Sequence, residues 1–215
     1  MAKKRIVAVI DLGSLSLRLK IFEAANKEAP KEIESVRRFL SLGAQTYRSG
    51  LISSEQISEL CEILAGFVLK TKEYKCSETL CVATGAFREA NNRDFVLERI
   101  RLRTGLSIKV LDNAEERFCH NLAVRELMPG IEKIITSGTL ILDIGAGSIQ
   151  STVYDKSEFV FSQNMLLGSL RVSELLSDLE RHTAHYTDVL EEFISHDLED
   201  YHAVEPKGIN YQNMI

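Results

Sequence analysis

Two short segments of the chain concentrate residues suited to holding anions. Asp11-Leu12-Gly13-Ser14-Leu15-Ser16 follows the apolar run Ile6 to Ile10, and Asp143-Ile144-Gly145-Ala146-Gly147-Ser148 follows Thr139 to Leu142. Each pattern sets a carboxylate at the end of a strand and then turns sharply on glycine, which lets backbone N–H groups approach an anion closely. Two such turns facing each other would clasp phosphates. Asp11 and Asp143 would hold Mg²⁺ directly or through water, while amides around Gly13, Gly145 and Gly147 and the hydroxyls of Ser14, Ser16 and Ser148 would take phosphate oxygens. One Asp-x-Gly turn alone reads better as an ordinary hairpin, because Asp and Gly are common turn formers. Repetition argues otherwise. Setting Asp11 on Asp143, 132 residues apart, places Gly13 on Gly145, Ser16 on Ser148, Leu17 on Ile149 and Phe22 on Tyr154, the mark of an internal repeat.

The elements that must carry these turns follow from periodicity. Residues 5–10 read as a strand, Leu17 to Phe22 as a second and Ile33 to Leu40 as a third, with a loop punctuated by Leu42-Gly43 and Ser49-Gly50. Ser53 with Gln56 forms a capping-box pattern, after which Ile57, Leu60, Cys61, Leu64, Phe67 and Val68 recur at helical spacing. Leu80 to Ala83 and Leu106 to Leu111 read as strands, and Asp94 to Arg103 and Ala114 to Leu127 as helices. The second copy offers strands at Ile149 to Tyr154 and Glu158 to Gln163, and helices at Ser169 to Leu179 and Thr187 to Tyr201. This alternation predicts an α/β fold with a mixed sheet and helices across its faces. The expected division is a first lobe over 1–128 and a second over 137–215. The tail from Glu205 to Ile215 makes the second copy look unfinished, as in a piece of a longer chain or a short relative whose second lobe is completed by another chain or closed by local rearrangement.

Composition sets the bounds. A chain of 215 residues, 45% hydrophobic and 27% charged, can bury a substantial core. The net charge of −5 disfavours broad or sequence-specific nucleic-acid binding but leaves room for a locally basic anion site. Neither a signal-peptide core nor a membrane-length apolar run is present, which points to the cytoplasm. Cys61, Cys76, Cys81 and Cys119 have no zinc-ribbon spacing and read as reduced thiols, and His182 with His185 reads as a helix-surface pair. An exposed apolar lobe edge would favour a homodimer.

Four ordered blocks give these residues a family resemblance. Asp11-Leu12-Gly13-Ser14-Leu15-Ser16-Leu17-Arg18-Leu19 resembles the DIGSNSxRL opening of the Ppx/GppA phosphatases, and Val82-Ala83-Thr84-Gly85-Ala86-Phe87-Arg88-Glu89-Ala90-Asn91-Asn92 resembles their VATxAxREAxN segment. Thr104-Gly105 and Glu115-Glu116 fall where the family has TG and paired glutamates. Asp143 to Ser148 is similar to its DIGGGS turn, and Leu166 to Arg171 to the segment that follows the second hairpin. The resemblance implies an actin-like, ribonuclease H-like ATPase-type fold with one complete lobe and the first part of a duplicated second. It also implies Mg²⁺-dependent release of terminal phosphate from inorganic polyphosphate or from pppGpp in an interlobe cleft. Such chemistry needs positioning, charge neutralisation and a base that orients water. Glu116 and Asp143 are then the expected catalytic pair. Glu116 is the base, with Glu115 able to stand in, although a capping-box partnership with Asn113 is a competing use of Glu116. Arg88 matches the phosphate-contacting arginine, its planar fork suited to phosphoryl oxygens, and Arg18 is a secondary candidate. On composition alone, a salt bridge from Arg88 to Glu89 or Asp94 competes.

The departures point at function as well. Leu15 stands where the family has asparagine, Ala146 where it has glycine, and Ile149-Gln150 where it has Thr-Glu. Gln150 keeps hydrogen bonding but lacks the carboxylate charge that would help hold Mg²⁺. A non-catalytic polyphosphate- or alarmone-binding relative is therefore the alternative to a hydrolase. A sugar- or acetate-type kinase on the same broad fold is the third reading, against which the Arg88 and Glu116 blocks weigh.

Overall fold

The structure is a computed structural model and describes residues 4–25, 29–182 and 185–215. The chain forms two compact units, Met1–Asp112 and Asn113–Ile215.

In the first unit, β1 (Arg5–Leu12), β2 (Ser16–Ala24) and β3 (Lys31–Phe39) form an antiparallel meander, and β4 (Glu78–Ala83) and β5 (Lys109–Val110) extend it parallel to β1, in the order β3-β2-β1-β4-β5. Register follows the two-residue side-chain alternation of strands. Pairing Leu12 with Leu17, Ile10 with Leu19 and Ala8 with Ile21 puts all six on one buried face. The long helix α2 (Ser54–Glu73) covers that face with Ile57, Leu60, Cys61, Leu64 and Phe67, and α4 (Arg93–Thr104) adds Val96 and Ile100. Each fully buried aliphatic side chain here contributes about 1.5–3 kcal/mol of burial free energy. The start of α2 is fixed as the sequence predicts. Gln56 N–H donates to Ser53 Oγ, and the Gln56 side-chain oxygen accepts from Ser53 N–H.

Three differences from expectation appear in this unit. Residues 42–49, expected as a loop, form α1 (Leu42–Ser49), because Leu42, Thr46 and Tyr47 bury one helical face that glycine-rich local propensity does not reveal. The strand expected over 106–111 shrinks to Lys109–Val110, since β4 pairs with only those two residues. A short helix α3 (Gly85–Glu89) follows β4, with Arg88 in its last turn.

The second unit begins with α5 (Asn113–Leu127), which the sequence places in a first lobe over 1–128, and continues through α6 (Ile131–Ile134). Its sheet runs β8-β7-β6-β9, from β6 (Gly138–Ile144), β7 (Ile149–Asp155), β8 (Glu158–Met165) and β9 (Tyr211–Met214). This order repeats β3-β2-β1-β4, as the offset of the Asp-x-Gly turns requires. The tail expected to leave the copy without its next strand supplies one: β9 lies parallel to β6 as β4 lies parallel to β1. Helices α7 (Ser169–His182) and α8 (Tyr186–Val204) pack on the sheet face carrying Ile149, Phe161 and Met165. Val124 of α5 and Ile131 and Ile135 pack with Ile141 and Tyr154 on the opposite face.

Among the described residues, no helix is long and apolar enough to cross a membrane, and no group of three or more His, Cys, Asp and Glu side chains is placed to hold a metal. The Met1–Lys3 basic tip and the His182 side chain lie outside the described residues.

Candidate phosphate-handling turns

In the first unit the turn after β1 closes by a bond from Gly13 N–H to Ser16 O at 3.1 Å. The α1 and α3 starts hold it from two sides: Gly43 N–H donates to Ser14 O, Thr84 N–H to Leu12 O, and Ala86 N–H to Ser14 Oγ. Asp11 sits in register with Val82, so the Val82–Asn92 block is brought beside the first Asp-x-Gly turn, as the joint presence of both motifs suggests. Gly85 is needed there, since a Cβ would lie 3.0 Å from both Ser14 Oγ and Tyr47 Oη. The two serines have internal work. Ser14, 8% exposed, shares a 2.6 Å bond with the Tyr47 hydroxyl, and Ser16, 6% exposed, accepts from Arg37 Nε. Both hydroxyls and the Gly13 N–H, expected at the phosphate, are engaged within the turn's own framework.

Arg88 is half-buried and donates from Nη1 to Leu111 O at 2.8 Å, so its guanidinium is oriented by a backbone carbonyl, while Asp94 pairs with Arg93. Arg18 is exposed, opposite Asp11 on one side and Arg37 on the other. Burial, reinforced by the Asp11 charge, pushes the neighbouring Cys81 thiol up to about 12, which makes it an inert core group. Asn92 clamps Ile52, accepting from its N–H and donating to its carbonyl, and Gly105 caps α4 at φ 75°. Two of the family-like residues thus serve the scaffold.

The second unit's turn is held more tightly. Gly145 N–H donates to Ser148 O at 2.9 Å, and the first turn of α7 takes the carbonyls: Ser169 N–H reaches Gly145 O, and Leu170 and Arg171 N–H reach Ala146 O. Arg171, 7% exposed, donates from Nε to Gly147 O at 2.7 Å. In a planar trans peptide the N–H points opposite to the C=O, and the described chain has no cis bond. The N–H groups of Ala146, Gly147 and Ser148 are therefore directed away from α7, a set of donors on one side of the turn suited to an anion. Gly168 permits this docking, because a Cβ there would overlap the backbone of Ala146, Gly147 and Ser148.

Beside this turn lies a cavity of about 250 Å³ whose lining includes Arg117, His120, Asn121, Asp143, Gln150 and Thr152. Asp143 Oδ2 meets His120 Nδ1 at 2.9 Å, and this contact holds the Asp143 carboxyl below its usual range against the opposing effect of burial. Gln150, in register with Asp143 and 4% exposed, has an Oε1 with no hydrogen-bond partner among the described residues. Glu115 and Glu116 lie half-buried in the first turn of α5, and Glu116 is one helical turn from His120. Because α5 begins at Asn113, Glu115 rather than Glu116 takes the third helical position, where a capping-box glutamate would sit. The sequence reading missed His120; its position four residues after Glu116, on the same helix face, was the available signal. Tyr47 and Arg37 carried no such signal, since their serine partners are distant in sequence.

Two α/β units, each built around an Asp-x-Gly hairpin and sharing the order of four strands, define an actin-like fold. Residues 21–213 match the Ppx/GppA phosphatase family. The chain belongs to that family. It is 32% identical over 145 residues to exopolyphosphatase 1 of Mycobacterium leprae, covering 67% of this chain and 41% of that one. It is 24% identical over 174 residues to a guanosine-5'-triphosphate,3'-diphosphate pyrophosphatase of Pseudoalteromonas translucida, covering 80% of this chain and 33% of the relative. The crystal structure of the Aquifex aeolicus Ppx/GppA family member superposes with a TM-score of 0.64 at 26% identity, covering 80% of this chain and 54% of that one. The chain spans less than half the length of the curated relatives it matches.

Proposed function

We propose that this chain carries the phosphate-handling half of a phosphoanhydride hydrolase that releases terminal phosphate from inorganic polyphosphate or pppGpp. The observation that carries the reading is the second turn, whose carbonyls are taken up by α7 and Arg171 so that the N–H groups of residues 146–148 are left on the other side. Such donors stabilise charge that develops on phosphoryl oxygens. Arg88, oriented by Leu111 O, adds a guanidinium in the first unit. Glu116 is the base that orients the attacking water, and Asp143 is the metal-side carboxylate.

The residues fit Mg²⁺ in donor chemistry. Asp143 offers a carboxylate, and the buried, unpartnered Gln150 Oε1 is a neutral oxygen in register with it. Mg²⁺ commonly takes one or two protein oxygens and completes its shell with water and substrate phosphates. When bound it would neutralise charge on the scissile phosphoryl group. Asp11 is the corresponding carboxylate of the first unit.

The neutral Gln150 also supports a second reading, binding of polyphosphate or an alarmone without turnover. Phosphate release from each substrate with Mg²⁺, measured on this chain and on Glu116→Gln, separates the two. Release that falls at least about a hundredfold in the variant supports hydrolysis with Glu116 as base. Saturable binding with no release selects the binding reading, and absence of both refutes the proposal.

A further inference from the structure

The two turns are locked by different means. At the repeat offset Leu15 corresponds to Gly147, and its carbonyl accepts from a backbone donor, Leu40 N–H, at 3.2 Å. Gly147 O accepts instead from a side chain, Arg171 Nε, at 2.7 Å. The difference matters because the residue is glycine. Gly147 has the backbone freedom to let the peptide joining it to Ser148 rotate, and rotation would turn a carbonyl toward the side from which Ser148 N–H faces an anion.

We propose that Arg171 is a positioning residue of the phosphate site: by holding Gly147 O it fixes the Gly147–Ser148 peptide with its N–H directed at the bound phosphoryl oxygen. Three features support the assignment. Arg171 is 7% exposed in the first turn of α7, so its guanidinium is placed against the turn and not in solvent. Its own backbone N–H bonds Ala146 O, so one residue holds two successive peptides of the turn. A charged donor on a carbonyl polarises that peptide and strengthens its N–H as a donor on the opposite side. The inference deepens the reading of the second turn as an anion site and rests on it.

Two substitutions bear on the Nε contact. Glutamine carries its Nε2 the same number of bonds from Cα as arginine carries Nε, keeping a donor without the charge; methionine puts a methyl carbon there. The test records Gly147 carbonyl and Ser148 amide resonances of the full chain, first without ligand and then during titration with inorganic tripolyphosphate. For Arg171→Met, the Gly147 carbonyl resonance is expected to move, Ser148 N–H to exchange faster, and tripolyphosphate affinity to fall about tenfold. For Arg171→Gln, the resonances stay close to wild type and affinity stays within about threefold.

Wild-type resonances and affinity in Arg171→Met overturn the proposal. Equal loss in both folded variants overturns it too, since that pattern belongs to a guanidinium touching the phosphate directly. If Arg171→Met does not fold, Arg171→Gln decides by keeping or losing the Gly147 and Ser148 signals. If tripolyphosphate moves none of the Ala146, Gly147 and Ser148 amides in wild type, the anion reading fails and the phosphate role of Arg171 with it, while the ligand-free spectra still report whether Arg171 fixes the peptide.

Discussion

Replacing Gly168 with alanine tests the tight seat of α7 against the second turn. The added Cβ would stand under 3.0 Å from Gly147 C, Ser148 N and Ala146 C, all backbone atoms that cannot swing aside. Ordinary carbon contacts lie near 3.5–4.0 Å, so the start of α7 must withdraw or the turn must deform. Withdrawal stretches the bonds from Ser169, Leu170 and Arg171 N–H to the Gly145 and Ala146 carbonyls. Overpacking of this kind costs about 1–3 kcal/mol, and each weakened bond adds up to about 1 kcal/mol. A loss of about 3 kcal/mol, on the order of a hundredfold in the unfolding equilibrium, is expected. The chain has no tryptophan, so urea unfolding is followed by circular dichroism and by tyrosine fluorescence. Gly66→Ala is the internal control. Gly66 is exposed within α2 with nothing within 4 Å of its added Cβ, and the substitution should stabilise by about 0.5–1 kcal/mol. A Gly168→Ala loss below about 0.5 kcal/mol, the ordinary scatter of surface substitutions, would refute the close docking and the orientation argued for residues 146–148.

Gln150→Glu places an ionisable carboxyl at a 4% exposed position beside Asp143; it should destabilise the metal-free chain by about 1–3 kcal/mol, and Mg²⁺ should then raise its melting temperature more than that of wild type. Equal Mg²⁺ shifts in both proteins would remove Gln150 from the proposed metal site. The Asp143–His120 contact should show in acid. Its folded carboxyl lies below the usual value, so the stability it contributes is present above the ordinary Asp range near about 4 and is lost as pH falls through the folded value. The stability difference between wild type and His120→Asn, measured by urea titration, should shrink from about pH 6 to about pH 3; a difference that stays constant would exclude the carboxylate as its source.

The repeated turn, the strands around it and the α2 capping box were legible because each rests on local residue types. Asp11 and Asp143 announce their turns, and Ser53 and Gln56 make both bonds their spacing allows. Helix α1 was hidden because its stability comes from burying Leu42, Thr46 and Tyr47, a tertiary gain invisible in a stretch that contains Gly43 and stops at Gly50. The β9 strand was hidden because Tyr211–Met214 is too short to show a period and is specified by its parallel pairing with β6. At the site, residue types could suggest which side chains meet phosphate, but not that Ser14 and Ser16 are occupied by Tyr47 and Arg37. That depends on partners 33 and 21 residues away.

The unlike fastening of the two turns bears on how the halves can drift after duplication. At position 40 any residue except proline supplies the N–H that Leu15 O accepts, so that contact survives almost every replacement. Position 171 allows no such latitude, because the bond to Gly147 O resides in a side chain and a single change can erase it. If the second turn is the phosphate site proposed above, loss of affinity in a descendant should therefore begin there, while the first turn keeps its shape.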